Sequence, residues 1–174
     1  MDIKSSNKTS PIQQKIKHKE QLDTQKILVA KTLLAGWKHM QGYEELSTQL
    51  VEKAAHLSFH STMATELIVN RLIDRMYKKQ TIASLRNKIQ ELVSDLKPSY
   101  SQTLESYFLK GTGASALSEI MGTRRRTIYT RINSGIEEIA KRLEEVGINM
   151  LTWNHLISQY KWLRNEYNAQ STEL

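Results

Sequence analysis

The sequence predicts an all-α fold: an N-terminal helical region, a helix-turn-helix and a C-terminal helix. Three observations predict it. Seven glycines and two prolines in 174 residues are too few for a fold rich in tight turns. Apolar residues recur at steps of three and four along most of the chain instead of alternating. The hydrophobic share, 39%, is modest but adequate for helices that each bury one stripe.

Residues 1–20 carry Lys4, Lys8, Lys15, Lys17 and Lys19 against Asp2 and Glu20. The composition predicts a basic flexible tail, with a phosphate-touching arm as the alternative. Residues 21–95 form the helical region. Leu22, Ile27, Leu28, Ala30, Leu33, Leu34 and Trp37 predict a first helix from about 21 to 40, ended by Gly42. Leu46, Leu50, Val51 and Ala54 predict a second, from about Tyr43 to Leu57. Ser61 or Thr62 would cap a third, carrying Leu67, Ile68, Leu72, Ile73 and Met76. The stripe Ile82, Leu85, Ile89, Leu92, Val93 and Leu96 suits a helix packed in a bundle.

Residues 96–145 are the most informative. Pro98 cannot continue the preceding helix but suits a new helix start. Leu104, Tyr107 and Phe108 give the new helix an apolar face, and Gly111 and Gly113 break it. Ser115 can cap a short helix holding Leu117, Ile120 and Met121. Gly122 then stands where a tight turn needs positive φ. A further helix starts near Arg124, with Ile128 and Ile132 on one face. Gly135 leaves the length of that helix open, since an interior glycine costs about 1 kcal/mol relative to Ala. In residues 146–174, Trp153, Leu156, Ile157, Tyr160, Leu163 and Tyr167 share one helical face, with Trp162 to one side. That stripe either folds back on the bundle or associates with a second copy or another protein.

The formal net charge of +7 suits a polyanionic partner, nucleic acid or an anionic membrane surface. The absence of cysteine excludes disulfides and thiolate metal sites. No run of 18 apolar residues predicts a membrane span, and no apolar stretch follows the N-terminal charges as in a secretory signal. A bacterial cytoplasm is the expected location, with the protein on DNA. His56 and His60 are four apart, but HLSFH lacks the glutamate of a metalloprotease motif. The string GTGAS lacks the spacing and lysine of a phosphate-binding loop. No enzyme activity, metal or cofactor is expected.

Helix, glycine turn, helix is the layout in which the second helix enters the major groove of duplex DNA. Off the Ile128–Ile132 face lie Arg124, Arg125, Arg126, Tyr129, Thr130 and Asn133. Arginine can grip guanine bidentately and asparagine can do the same to adenine. Thr127 and Arg131 suit phosphate contacts. A solvated charge run would also place three arginines together. Their position directly after the turn glycine favours the groove.

Leu96, Pro98, Leu104, Tyr107, Phe108 and Gly111, followed by Leu117, Glu119, Ile120, Met121, Gly122, Thr127, Ile128, Arg131 and Ile132, resemble region four of the main class of bacterial sigma factors. The resemblance covers residues 96–143. Ser118 stands where that family has alanine, Gly113 where it has a capping Ser or Thr, and Thr123 where it has an apolar residue. Ser115 or Thr112 would then take over the cap. Only Trp37, Tyr43, Phe59 and Tyr77 are aromatic between 21 and 95, where a complete sigma factor would carry an aromatic-rich region two. The layout is similar to phage and mobile-element regulators of Gram-positive bacteria, of the autolysin-regulator-like and late-operon activator kinds. The resemblance implies a sequence-specific DNA-binding transcription regulator that contacts RNA polymerase. A minimal alternative sigma factor, a phage DNA-packaging or recombination accessory protein, and a helical interaction protein remain as alternatives. Homo-oligomerisation through the C-terminal stripe is a further expectation.

Overall fold

The computed structural model describes residues 11–58 and 65–172, and all regular structure among them is helical. The elements are α1 (Pro11–Ala35), α2 (Trp37–Ser58), α3 (Thr65–Ser94), α4 (Pro98–Leu104) with a π-helical continuation (Glu105–Leu109), α5 (Ala114–Ile120), α6 (Arg125–Arg142), α7 (Met150–Gln159) and α8 (Lys161–Ser171). Among the described residues, no helix is long and apolar enough to cross a membrane.

Several expected boundaries move. The first helix begins at Pro11, so residues 11–20 of the expected flexible tail are helical, while residues 1–10 lie outside the described residues. The break after α1 falls at Gly36, not Gly42, which lies inside α2. A side chain at Gly36 would put its Cβ 2.9 Å from the Trp162 ring and 3.3 Å from the Thr32 carbonyl oxygen. The close approach of α8 therefore selects glycine there. The hydrogen-bond ladder survives the kink: Gly36 N–H donates to Thr32 O at 2.9 Å, and Met40 N–H to Gly36 O at 3.0 Å. The two apolar stretches of 65–94 merge into one helix of 30 residues. Ser61 and Thr62, the expected caps, lie outside the described residues.

The C-terminal segment is two helices rather than one. Tyr160, at φ −113° and ψ 100°, ends α7 and starts α8. Its ring is buried and its hydroxyl donates to the Lys78 carbonyl at 3.2 Å. Burial pushes the Tyr160 phenol above its ordinary value. Arg164 reaches back to the end of α7, donating to the carbonyls of Ile157 and Ser158 at 3.1 Å each. Those are helix-end acceptors that would otherwise lack a partner. Asn149 caps the other end of α7, its Oδ1 accepting from Thr152 N–H at 2.9 Å.

One core runs through every segment. It joins Val29, Leu33 and Leu34 of α1, Ile82, Ile89 and Leu92 of α3, Leu104 of α4, Leu117 of α5, the isoleucines of α6, and Trp153, Leu156 and Leu163 of the C-terminal helices. The Trp153–Leu163 part of the aromatic stripe is thus spent on the core and is not a free association surface. Trp162 is half-buried, between Gly36 and a stacked His39 ring at 6.0 Å.

α6 is the central strut. It packs on α1, α3, α4 and α5, burying Ile128, Ile132, Gly135, Ile136, Ile139 and Ala140. Gly135 does not shorten it: the helix runs on to Arg142. A Cβ at 135 would lie 2.8 Å from Cδ1 and 3.3 Å from Cγ of Leu104, which is itself fully buried. Glycine is what lets α4 and α6 come this close.

Two expectations follow. Gly135→Ala should lower stability by about 1–3 kcal/mol through overpacking, despite the better helix propensity of alanine. Denaturant titration of Gly135→Ala, Leu104→Ala and the double variant should give a double-variant loss smaller than the sum of the two. Strict additivity would mean the two sites are not in contact. Truncation after residue 148 removes Trp153, Leu156, Tyr160 and Leu163 from the core and should abolish cooperative thermal unfolding. A truncated chain that melts like the full one would refute that packing.

Candidate nucleic-acid interface

The turn between α5 and α6 is built by Gly122 at φ +58°. Thr123 N–H donates to Ser118 O at 3.0 Å and Gly122 N–H to Glu119 O at 3.2 Å. This pair of bonds closes the end of α5 with one left-handed residue, the position for which glycine alone carries no steric cost. Gly111 (φ +71°) performs the same reversal after the π-helical stretch. Gly113 is the N-cap of α5 in an extended conformation, and no side chain caps that helix, so neither Ser115 nor Thr112 takes the expected role. Ser115 lies within the first turn, where its carbonyl accepts from the Ser118 hydroxyl at 2.7 Å. Ile120, expected on the apolar face of α5, is 74% exposed.

The N-cap of α6 is Arg124, also without a side-chain cap. No N-cap side chain accepts from the first backbone N–H groups of α6, at the positive end of the helix dipole, although Thr127 N–H donates to Arg124 O at 2.8 Å. Around them stand the residues singled out from the sequence. Arg124, Arg125, Arg126, Thr127, Tyr129, Thr130 and Asn133 are all exposed, while Ile128 and Ile132 are buried beneath them. Arg126, Thr130 and Asn133 follow one another at helical spacing on the outward face. The Thr130 hydroxyl donates back to the Arg126 carbonyl at 3.0 Å.

Arg125 behaves differently from its neighbours. Its guanidinium carbon sits 5.7 Å from the centre of the Tyr129 ring, and Nη2 is 3.4 Å from the Tyr129 hydroxyl. That hydrogen bond raises the Arg125 pKa from its ordinary value. Arg131 is half-buried, and its guanidinium Nη1 lies 3.8 Å from the sulfur of Met121 in the turn. Thr123, expected only as an odd residue after the turn, has a hydroxyl buried without a hydrogen-bond partner. Nothing in local spacing announced that.

The electrostatics are one-sided. Between Glu119 and Glu137 the chain has four arginines and no acidic residue. Farther along α6 the charges are paired: Arg142 bonds Asp95 at 2.9 Å and Glu145 at 3.0 Å, and Lys141 bonds Glu138 at 3.1 Å. The unneutralised positive charge is confined to the start of the helix. Such a surface can bind an anionic backbone and offer hydrogen-bond donors to base edges.

The turn can be tested apart from any ligand. No atom lies within 4 Å of a Cβ added at Gly122, so Gly122→Ala pays only the left-handed backbone penalty, about 1–2 kcal/mol. Gly122→Asn should cost less, because asparagine tolerates that conformation. Equal losses for the two variants in denaturant titrations would contradict the turn geometry.

No protein-family model, curated protein or solved structure matches this chain.

Proposed function

We propose that this protein binds duplex DNA sequence-specifically through α6, as the second helix of a helix-turn-helix, and regulates transcription where it binds. The observation that carries the reading is the exposed arginine cluster at the uncapped start of α6, rooted in the core by Ile128 and Ile132. Arg126 and Asn133, on the outward face, are assigned to base edges. Thr130, its hydroxyl proton already engaged, presents its methyl to the same groove and suits contact with a thymine methyl. Arg125 and Tyr129 act as one braced unit, and Thr127 and Arg131 flank it for phosphate contact. Of the aromatics in residues 21–95 that a promoter-opening element would use, Trp37 is buried, Tyr43 is half-buried against the core and Tyr77 is exposed, while Phe59 lies outside the described residues.

Capture of genomic fragments on the purified protein, read by sequencing, tests the proposal. Enriched fragments should share one motif and lie at promoters. Enrichment at a single packaging site would instead make it a packaging accessory. On the recovered site, affinity should fall steeply with salt, because cationic side chains displace counterions from phosphates. A log–log slope near zero would remove the duplex as partner. Arg126→Ala should cost about 1–3 kcal/mol and relax preference at one base pair. Arg131→Ala should weaken all sequences alike and reduce the salt slope by about one. Uniform weakening by both would leave the cluster a phosphate clamp.

A further inference from the structure

The outward face of α3 changes character halfway along. From Gln80 onward it reads Gln80, Ser84, Asn87 and Glu91, all exposed and polar. Before Gln80 the same face carries Val69, Ile73 and Met76, with Tyr77 at its edge, exposed by 45%, 59%, 57% and 62%. A solvated helix face gives no reason for that switch. It falls where α3 leaves the body: none of the described residues of α3 before Ile82 is buried, and the last hydrophobic core residue of α2 is Met40. The distal parts of α2 and α3 form a two-helix hairpin that projects beyond the shared core. Two helices cannot cover all of their own apolar residues.

The charges of this hairpin are split between its helices. Residues 65–79 of α3 carry Arg71, Arg75, Lys78 and Lys79 against Glu66 and Asp74. Residues 45–58 of α2 carry Glu45 and Glu52 against Lys53, Glu44 being paired with Arg86 at 3.0 Å within the chain. A hairpin with one basic and one acidic helix is complementary to a rotated copy of itself. A two-fold axis running along the hairpin sets the basic helix of each copy over the acidic helix of the other, an isologous arrangement.

We infer that the distal α2–α3 hairpin is a homodimer interface, with the Val69–Ile73–Met76 strip at its centre and a second copy of this chain as the occupant. The area agrees. Four half-exposed side chains of this size offer on the order of 400 Å² of apolar surface. A standard interface buries about 800 Å² per partner, of which somewhat over half is apolar. The dimer is formed without DNA and does not rest on the function proposed above. If α6 reads DNA, the dimer presents two such helices and calls for a two-fold symmetric site.

Sedimentation velocity on the full chain over a concentration series, without DNA, tests the inference. The wild-type chain should sediment as a dimer. Ile73→Asp with Met76→Asp should raise the dissociation constant tenfold or more while leaving helicity by circular dichroism unchanged, since both side chains are exposed. A charge exchange separates a specific pairing from general stickiness. Glu45→Lys with Glu52→Lys, and separately Arg75→Glu with Lys79→Glu, should each weaken self-association, and mixing the two variants should restore a dimer. A wild-type chain that stays monomeric at every concentration overturns the inference and hands the strip to a different protein. A dimer that ignores both the strip and the charge variants overturns it as well.

Discussion

The structure depends on how closely α6 can be approached. Its buried face, from Ile128 to Ala140, is the surface on which α1, α3, α4 and α5 converge. The tightest point is Gly135 against Leu104, where even a methyl group would intrude. That contact sets the depth of α4, and α4 with its π-helical continuation positions the turn leading into α5. α5 in turn presents Gly122 and the start of α6. The geometry of the exposed arginines is therefore inherited from the core rather than from the loop that precedes them. A helix gripped along one face cannot roll, so the face carrying Arg126, Thr130 and Asn133 has a fixed direction.

The local part of this was legible in the sequence. Helical periodicity is a short-range property, and the buried Ile128 and Ile132 of α6 and Ile82, Leu85, Ile89, Leu92 and Val93 of α3 are among those that the steps of three and four select. The exposure of Arg124–Arg126, Tyr129, Thr130 and Asn133 follows from the same arithmetic once Ile128 and Ile132 point inward. Boundaries set by distant contacts were not legible. Gly42 looked like the stop of α1, yet Gly36 is the break, because Trp162 from the far end of the chain presses on it. Gly135 looked like a defect because its reason, Leu104, lies in another helix. The bend at Tyr160 has no glycine or proline to announce it and is held by Arg164 and by the burial of its own ring. Ser115 was a reasonable cap by type, but the chain enters α5 two residues earlier, at Gly113.

The two halves of the molecule differ in how their helices are sustained. In the body each helix has at least two neighbours, and surface ion pairs such as Lys26–Glu144 at 2.8 Å add little to what packing supplies. In the distal hairpin each helix leans chiefly on the other. An isolated pair of helices with exposed Leu46, Leu50, Ile73 and Met76 sits near the margin of stability in water. Such a segment is most economically explained if its apolar side is covered when the protein works. The body holds one helix rigid, and the hairpin carries the apolar strip inferred above to meet a second copy.

The start of α6 gathers charges that the helix dipole opposes. α7 has an Asn cap whose oxygen accepts a first-turn N–H, and the α5 terminus closes with two backbone bonds. α6 shares with α4, α5 and α8 the lack of a side-chain cap, but it alone opens on Arg124 and places two more arginines in its first turn. Cations at a helix N-terminus are opposed by the macrodipole, by roughly 0.3–1 kcal/mol each at exposed positions. Three like charges in succession also repel one another, and no acidic side chain lies among them. Local rules broken together, at a place the core holds rigid, are characteristic of functional sites rather than of careless folding. An anion placed there would satisfy the free N–H groups, reverse the sign of the dipole term and neutralise the arginines at once. A phosphate backbone supplies such anions in a row, which is why the cost carried by this helix end supports a nucleic-acid partner more strongly than the net charge of the whole chain does.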